Sequence, residues 1–88
     1  MLKISVISES ARELRLQLEG KLVGAWVNEL RSLSDAALAQ NKTLSLDLEK
    51  VWFVDGQGAA LLRELEARQV AQLHRSQFIS QQLKETAQ

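Results

Sequence analysis

Hydrophobic and polar residues alternate along two segments near the amino terminus, residues 2–7 and residues 12–19. A period of two is typical of half-buried β-strands. Residues 8–11 are small or polar and few enough for a hairpin turn, so the two segments predict an antiparallel pair of strands. The positions expected to face inward are Ile4, Val6, Leu14, Leu16 and Leu18.

The hydrophobic period becomes helical over residues 23–39 and returns to alternation over residues 43–48. The order strand, helix, strand predicts two parallel strands joined by a right-handed crossover. The apolar stripe of the helix is Val23, Trp26, Val27, Leu30, Leu33, Ala37 and Leu38, and the inward positions of the strand are Leu44, Leu46 and Leu48.

An apolar cluster over residues 49–54 is predicted as a turn that packs its aromatic side chains onto the end of the sheet. Asp55 follows, placed to accept hydrogen bonds from the first amides of a helix over residues 59–69. The buried stripe predicted for this helix is Gly58, Leu61, Leu62 and Leu65.

The last part of the chain predicts a short edge strand over residues 70–74 and a final helix capped by Ser76. Phe78, Ile79 and Leu83 are the inward positions of that helix, and the polar tail from Lys84 is expected to fray.

The fold class predicted is α/β (α+β-like), with the order β-β-α-β-α-β-α, a mixed four-stranded sheet and helices packed mainly on one face. The 88 residues allow one domain, 1–88, of marginal stability. The other face of the sheet is expected to be exposed to solvent, and its side chains are Arg15, Gln17, Thr43, Ser45 and Asp47.

The composition excludes several classes of function. The 11 Lys and Arg residues balance the 11 Asp and Glu residues and are interspersed with them, so a nucleic-acid partner is not expected. With no cysteine there is no disulfide, thiolate nucleophile or zinc ribbon, and a reduced domain fits the cytoplasm. No apolar run has the length of a membrane span or a secretory signal, so direct membrane insertion is not expected.

The residues that bear chemistry are few. Asp47 and Asp55 flank the connection into the second helix and are candidates for an acid–base pair or a magnesium site, but we expect Asp47 to lie on a solvated face and Asp55 to cap the helix. No further ligand is expected near them, and His74 has no evident partner. We therefore expect no catalytic residue, metal or cofactor.

Two other features have a structural and a functional interpretation. Gly56-Gln57-Gly58 lies where a phosphate-binding loop would, but Leu61 occupies the place of the third glycine of a dinucleotide fingerprint. Three aromatic residues, Trp26, Trp52 and Phe53, are candidates for stacking on bases but are interpreted as core residues.

The mixed charges at positions 63–68, with Glu64 and Arg68 four apart, predict a self-paired helix face.

The segment TLSLDLEKVWFVDGQGAALL, residues 43–62, resembles the signature of the STAS domain, the module of anti-sigma-factor antagonists and sulfate-transporter tails. That signature is a strand ending in Asp-Leu, an apolar turn, and Asp-Ser-x-Gly opening a helix with paired leucines. The places are taken here by Asp47-Leu48, Val51 to Val54, Asp55, Gly58 and Leu61-Leu62. The segment LRLQLEGKLVG, residues 14–24, is similar to the family's second strand and its step into the first helix, and the resemblance extends to Leu83.

The resemblance implies a non-enzymatic regulatory module of bacterial type that binds a protein partner. In the antagonists a Ser or Thr after the aspartate is phosphorylated, but Gly56 and Gln57 carry no hydroxyl, so we expect no phosphorylation switch at this site. Longer family members continue into a further strand and helix. This sequence has no counterpart of them, so we expect the surface that they would cover to be open to a partner or to a second copy in a homodimer. The residues expected to bind the partner are Asp55, Gly56, Gln57, Gly58 and Arg63.

Three functions remain open. The first is an interaction module that binds an anti-sigma factor or a kinase-like regulator. The second is an accessory subunit that docks on the ATPase of an ABC transporter. The third, which rests on Asp47, Asp55 and the glycine loop, is an enzyme or a nucleotide-binding protein.

Overall fold

The alternating and helical segments form the elements predicted, in the predicted order. The computed structural model describes residues 1–86, and over these residues the chain forms four strands and three helices. Their bounds are β1 (Leu2–Glu9), β2 (Glu13–Leu22), α1 (Ala25–Ala39), β3 (Thr43–Val54), α2 (Gly56–Ala67), β4 (Ala71–Leu73) and α3 (Gln77–Thr86).

The strands form one mixed sheet with the spatial order β1-β2-β3-β4. The hairpin pair β1 and β2 is antiparallel, with Ile4 opposite Leu18, whereas β2 and β3 are parallel, with Leu16 beside Leu46. At the far edge, the three residues of β4 pair in parallel with β3. The predicted fold class, α/β (α+β-like) with this order of elements, is confirmed.

The core lies between one face of the sheet and the three helices. Helix α1 contacts β2 and β3, and both α2 and α3 contact β3 and each other. Removing each leucine side chain from water contributes roughly 1.5–3 kcal/mol, so this layer is the main source of stability. The largest fully buried side chains are Leu16, Leu18, Leu22, Leu30, Leu44, Leu46, Leu48, Leu61, Leu62, Leu65, Ile79 and Val54.

Strand β3 is twice as long as predicted. The prediction of a turn over residues 49–54 is wrong, because these residues stay paired with the end of β2, as far as Leu22 beside Val54. Two register shifts interrupt that pairing, one between Gln17 and Glu19 and one between Gly20 and Lys21. Each irregularity moves the inward positions out of strict alternation, so the sequence pattern of a continuing strand is hidden.

Some side chains predicted to face the core lie on the surface. Val6 is 59% exposed because β1 is an edge strand, and Phe78 is 55% exposed because α3 buries Ile79 and Leu83 instead. The reverse holds for Ser45, which was expected to face water but is buried. Helix α3 also continues past Lys84 to Thr86, so the expected fraying does not begin at Lys84, and residues 87–88 lie outside the described residues.

Charged side chains connect the two longest helices. Arg31 of α1 pairs with Glu64 of α2 at 2.6 Å, and Asp35 of α1 pairs at 2.8 Å with Arg68, the residue that follows α2. The predicted pair between Glu64 and Arg68 is also present, at 3.7 Å. This helix face is therefore paired mainly with its neighbour and not only with itself.

Candidate functional site

The connection from β3 to α2 is held by the carboxylate of Asp55. One oxygen, Oδ1, accepts a hydrogen bond from the backbone N–H of Gly58 at 2.7 Å, which confirms Asp55 as the cap of α2. The other, Oδ2, accepts from the N–H of Gly24 at 3.0 Å, just before α1. Asp55 therefore fixes the start of two helices with one side chain. Its negative charge at this helix start also opposes the binding of a phosphate there.

The three residues after Asp55 divide into two that are open and one that is buried. Gly56 and Gln57 are exposed, and a Cβ atom placed on Gly56 would meet no atom within 4 Å. Gly58 is buried, and a Cβ atom there would lie 2.5 Å from the carbonyl oxygen of Leu22. Gly56 and Gln57 can thus touch a partner, whereas Gly58 supports the loop from below.

Arg63 lies apart from this loop. It follows Gly56 by seven residues of α2, about 10 Å along the helix axis. There it lines a cleft between α2 and α3. The structure therefore brings together Asp55, Gly56 and Gln57 but does not place Arg63 beside them.

Two aromatic side chains next to the loop lie on the surface, which contradicts their interpretation as core residues. Trp52 is 63% exposed and Phe53 is 39% exposed, while Trp26 is partly buried against the core. The ammonium group of Lys21 lies 4.9 Å from the centroid of the Trp52 ring. The register shift between Gly20 and Lys21 leaves Trp52 without a paired residue in β2, and this irregularity breaks the alternation, so neither aromatic side chain enters the core. We call Trp52, Phe53, Gly56 and Gln57 the aromatic–glycine surface.

The acid–base pair considered for Asp47 and Asp55 is not formed. Asp47 lies in the middle of β3, beside Gln17 and Leu73, and Asp55 follows it by eight positions, just after the end of the strand. Eight positions of extended chain span more than about 20 Å. The carboxylates therefore act in separate places.

Asp47 instead meets His74 at the end of β4. His74 Nδ1 lies 3.3 Å from Asp47 Oδ1, and the same oxygen accepts a hydrogen bond from the N–H of Glu49 at 3.0 Å. The expectation that no further ligand lies near Asp47 is wrong, because Asp47, Glu49 and His74 bring ligand atoms within 4.8 Å of one another. One imidazole and two carboxylates suit a divalent transition metal better than magnesium.

The hydrogen bond from Glu49 is the main cause that lowers the pKa of Asp47, and His74 lowers it further while burial opposes the change. A carboxyl whose pKa is lower in the folded chain stabilises the fold above its unfolded pKa, and this contribution disappears as the pH falls through the folded pKa. In urea unfolding between pH 6 and pH 2, we expect the difference in stability between wild type and Asp47→Asn to shrink below about pH 4. A difference independent of pH would contradict this role for the Asp47 charge.

Comparison with known proteins supports the fold assignment. No protein-family profile and no curated protein matches the sequence. Among solved structures, the unphosphorylated form of SpoIIAA, an anti-sigma factor antagonist, superposes with a TM-score of 0.68 at 21% identity, covering 93% of this chain and 82% of that one. This chain has the SpoIIAA-like fold. The resemblance to the STAS domain noted in the sequence is thus confirmed at the level of the fold.

A second structure with the same architecture is an uncharacterized protein of the DUF3478 family from Shewanella loihica PV-4, described as having a SpoIIAA-like fold. It superposes with a TM-score of 0.58 at 17% identity, covering 88% of this chain and 69% of that one. Within the described part of this SpoIIAA-like chain, no helix is long and apolar enough to cross a membrane.

Proposed function

We propose that the chain is a non-enzymatic protein-interaction module of the anti-sigma-factor antagonist type, which acts in the cytoplasm. Its binding surface is the aromatic–glycine surface. The observation that supports this most directly is the exposure of Trp52 and Phe53 beside the open Gly56. The fold, shared with the antagonist SpoIIAA, agrees with that role.

The chemistry of this surface suits a protein partner. Tryptophan is enriched among residues that dominate binding energy, because its large ring removes much apolar area from water when a partner covers it. The absence of a side chain at Gly56 lets a partner's backbone approach closely. Of the first amides of α2, that of Gly58 already donates to Asp55, which leaves the amides of Gly56 and Gln57 as hydrogen-bond donors for a partner.

The proposed module binds without a phosphorylation switch at the family position. Gly56 and Gln57 have no hydroxyl group that a kinase could modify. Control by phosphate would need a different residue, so binding through this loop is expected to be constitutive.

The partner is identified by placing a photo-crosslinking residue at Gln57 and irradiating a native lysate. Capture of a soluble anti-sigma factor or kinase-like regulator, competed by excess unlabelled wild type, is the expected result. Capture of the ATPase of a membrane transporter would instead favour the accessory-subunit function and overturn the antagonist type.

With the captured partner purified, we expect Trp52→Ala to weaken binding by about 30-fold, the loss of about 2 kcal/mol usual for a central aromatic residue. Gly56→Arg should have a similar effect, because its side chain stands where the partner approaches. Thr43→Arg is the matched control, since it places the same side chain at the opposite end of β3. Calorimetric titration measures all three, and equal affinity of Gly56→Arg and Thr43→Arg would remove the loop from the binding surface.

A further inference from the structure

A cleft between α2 and α3 lies outside the aromatic–glycine surface. Its volume is about 270 Å³, and the described residues that line it are Arg63, Glu66, Arg75, Ser80, Leu83 and Lys84. Three of them are cationic and one is acidic, so the cleft carries a positive excess in a chain whose formal net charge is zero.

Arg63 and Lys84 are the lining cations for which the described residues provide no ion pair. The two nearby arginines on the other side of α2 each pair with a carboxylate, Arg31 with Glu64 and Arg68 with Asp35. Over the described residues, Arg63 has no ion pair, and its buried Nε has no hydrogen-bond partner. The protein thus offers the Arg63 guanidinium no anionic partner among the described residues, and an anion in the cleft would supply one.

Arg75 is held in place on the other side of the cleft. Its Nε donates to Ser80 Oγ at 3.2 Å, and its Nη1 donates to Gln72 Oε1 at 3.3 Å. Glu66 Oε2 forms an ion pair with the same Nη1 at 3.5 Å, so Glu66 competes with an incoming anion for Arg75. Arg75 is thus oriented in advance by neutral groups, which reduces the entropy lost when it binds an anion.

We propose that this cleft binds the phosphate group of a small molecule. Guanidinium groups match the geometry of phosphate oxygens and donate to them in pairs, and the Lys84 ammonium adds a further charge at the rim. A dianionic phosphate balances the excess of two positive charges left by three cations and Glu66. Free phosphate and a phosphate monoester share this chemistry.

The test is an NMR titration of the ¹⁵N-labelled full chain with inorganic phosphate and, separately, with glycerol 3-phosphate, against sodium chloride at equal ionic strength. We expect saturable shifts confined to residues 63–66 and 75–84 with either phosphate compound. Tighter binding of the monoester than of inorganic phosphate would assign the site to an organic phosphate, and equal binding would assign it to phosphate itself. Shifts no larger than those with chloride would overturn the proposal.

Variants distinguish phosphate binding at a specific site from a general effect of the protein's positive charges. Arg63→Gln should weaken phosphate binding about tenfold, the effect of losing one charge-assisted contact. Arg31→Gln removes the same charge from α1 outside the cleft and should leave the affinity unchanged. Glu66→Gln should strengthen binding, which a merely structural role of Glu66 would not produce. Equal weakening of phosphate binding by Arg63→Gln and Arg31→Gln would overturn the site. Lys84→Gln, at the exposed rim of the cleft, should also weaken phosphate binding.

Discussion

Replacing Gly58 with alanine is expected to lower the free energy of unfolding by about 2 kcal/mol, the usual effect of one methyl group forced into a packed contact. The new Cβ atom would lie 2.5 Å from the carbonyl oxygen of Leu22 and 3.2 Å from its Cγ. The oxygen is part of the backbone and also accepts a hydrogen bond from the N–H of Asp55, so it cannot move freely. The steric clash between the new Cβ atom and this oxygen is therefore relieved only if the first turn of α2 shifts away from β2.

The matched control is Gly56→Ala, two residues earlier in the same helix. Both substitutions remove the same conformational freedom from the unfolded chain, but the Cβ at Gly56 enters open space. Gly56→Ala should therefore be neutral or stabilising by up to about 1 kcal/mol. Thermal unfolding followed by circular dichroism should show Gly58→Ala melting roughly 10 °C below wild type. Equal melting temperatures for the two variants would mean that the contact with Leu22 does not constrain the loop.

The order of elements could be predicted from the sequence because each element carries its own period. Leu14, Leu16 and Leu18 alternate as a strand must, and Val27 and Leu30 repeat as a helix must. The Asp55 cap was predictable for a similar reason, since capping is a local property of a side chain and the amides next to it. These features depend on near neighbours along the chain.

The continuation of β3 and the exposure of its aromatic residues could not be read from periodicity. Two irregularities in the pairing with β2 break the alternation between Leu48 and Val54, and they depend on a partner strand far away in the sequence. Trp52 and Phe53 were assigned to the core because a turn was expected there. The same two irregularities therefore conceal both the continuation of β3 and the exposed aromatic residues of the surface proposed for binding.

The distribution of charge shows a similar contrast. Along the chain the cations and carboxylates are interspersed, which argues against a nucleic-acid partner. Folding pairs Arg31 and Arg68 with carboxylates across α1 and α2 but gathers Arg63 and Arg75 at one cleft. A net charge of zero thus does not exclude a local anion site.

Removing the Asp55 carboxylate is expected to have a larger effect than the Gly58 substitution, because both of its oxygens are used. In Asp55→Ala the N–H groups of Gly58 and Gly24 lose their acceptor. Losing a helix cap costs about 0.5–2 kcal/mol, and losing a hydrogen bond to a charged group costs about 1.5–3 kcal/mol. We expect a total loss near 3 kcal/mol in urea unfolding.

A second substitution separates the two hydrogen bonds of Asp55. Serine is a good helix cap but is too short to reach α1 as well, so Asp55→Ser should keep the bond to Gly58 and lose the bond to Gly24. Its stability should fall between those of wild type and Asp55→Ala. If Asp55→Ser is as unstable as Asp55→Ala, the bridge to Gly24 is the dominant contact. If it is as stable as wild type, that bridge contributes nothing, and the position of the loop is set by α2 alone.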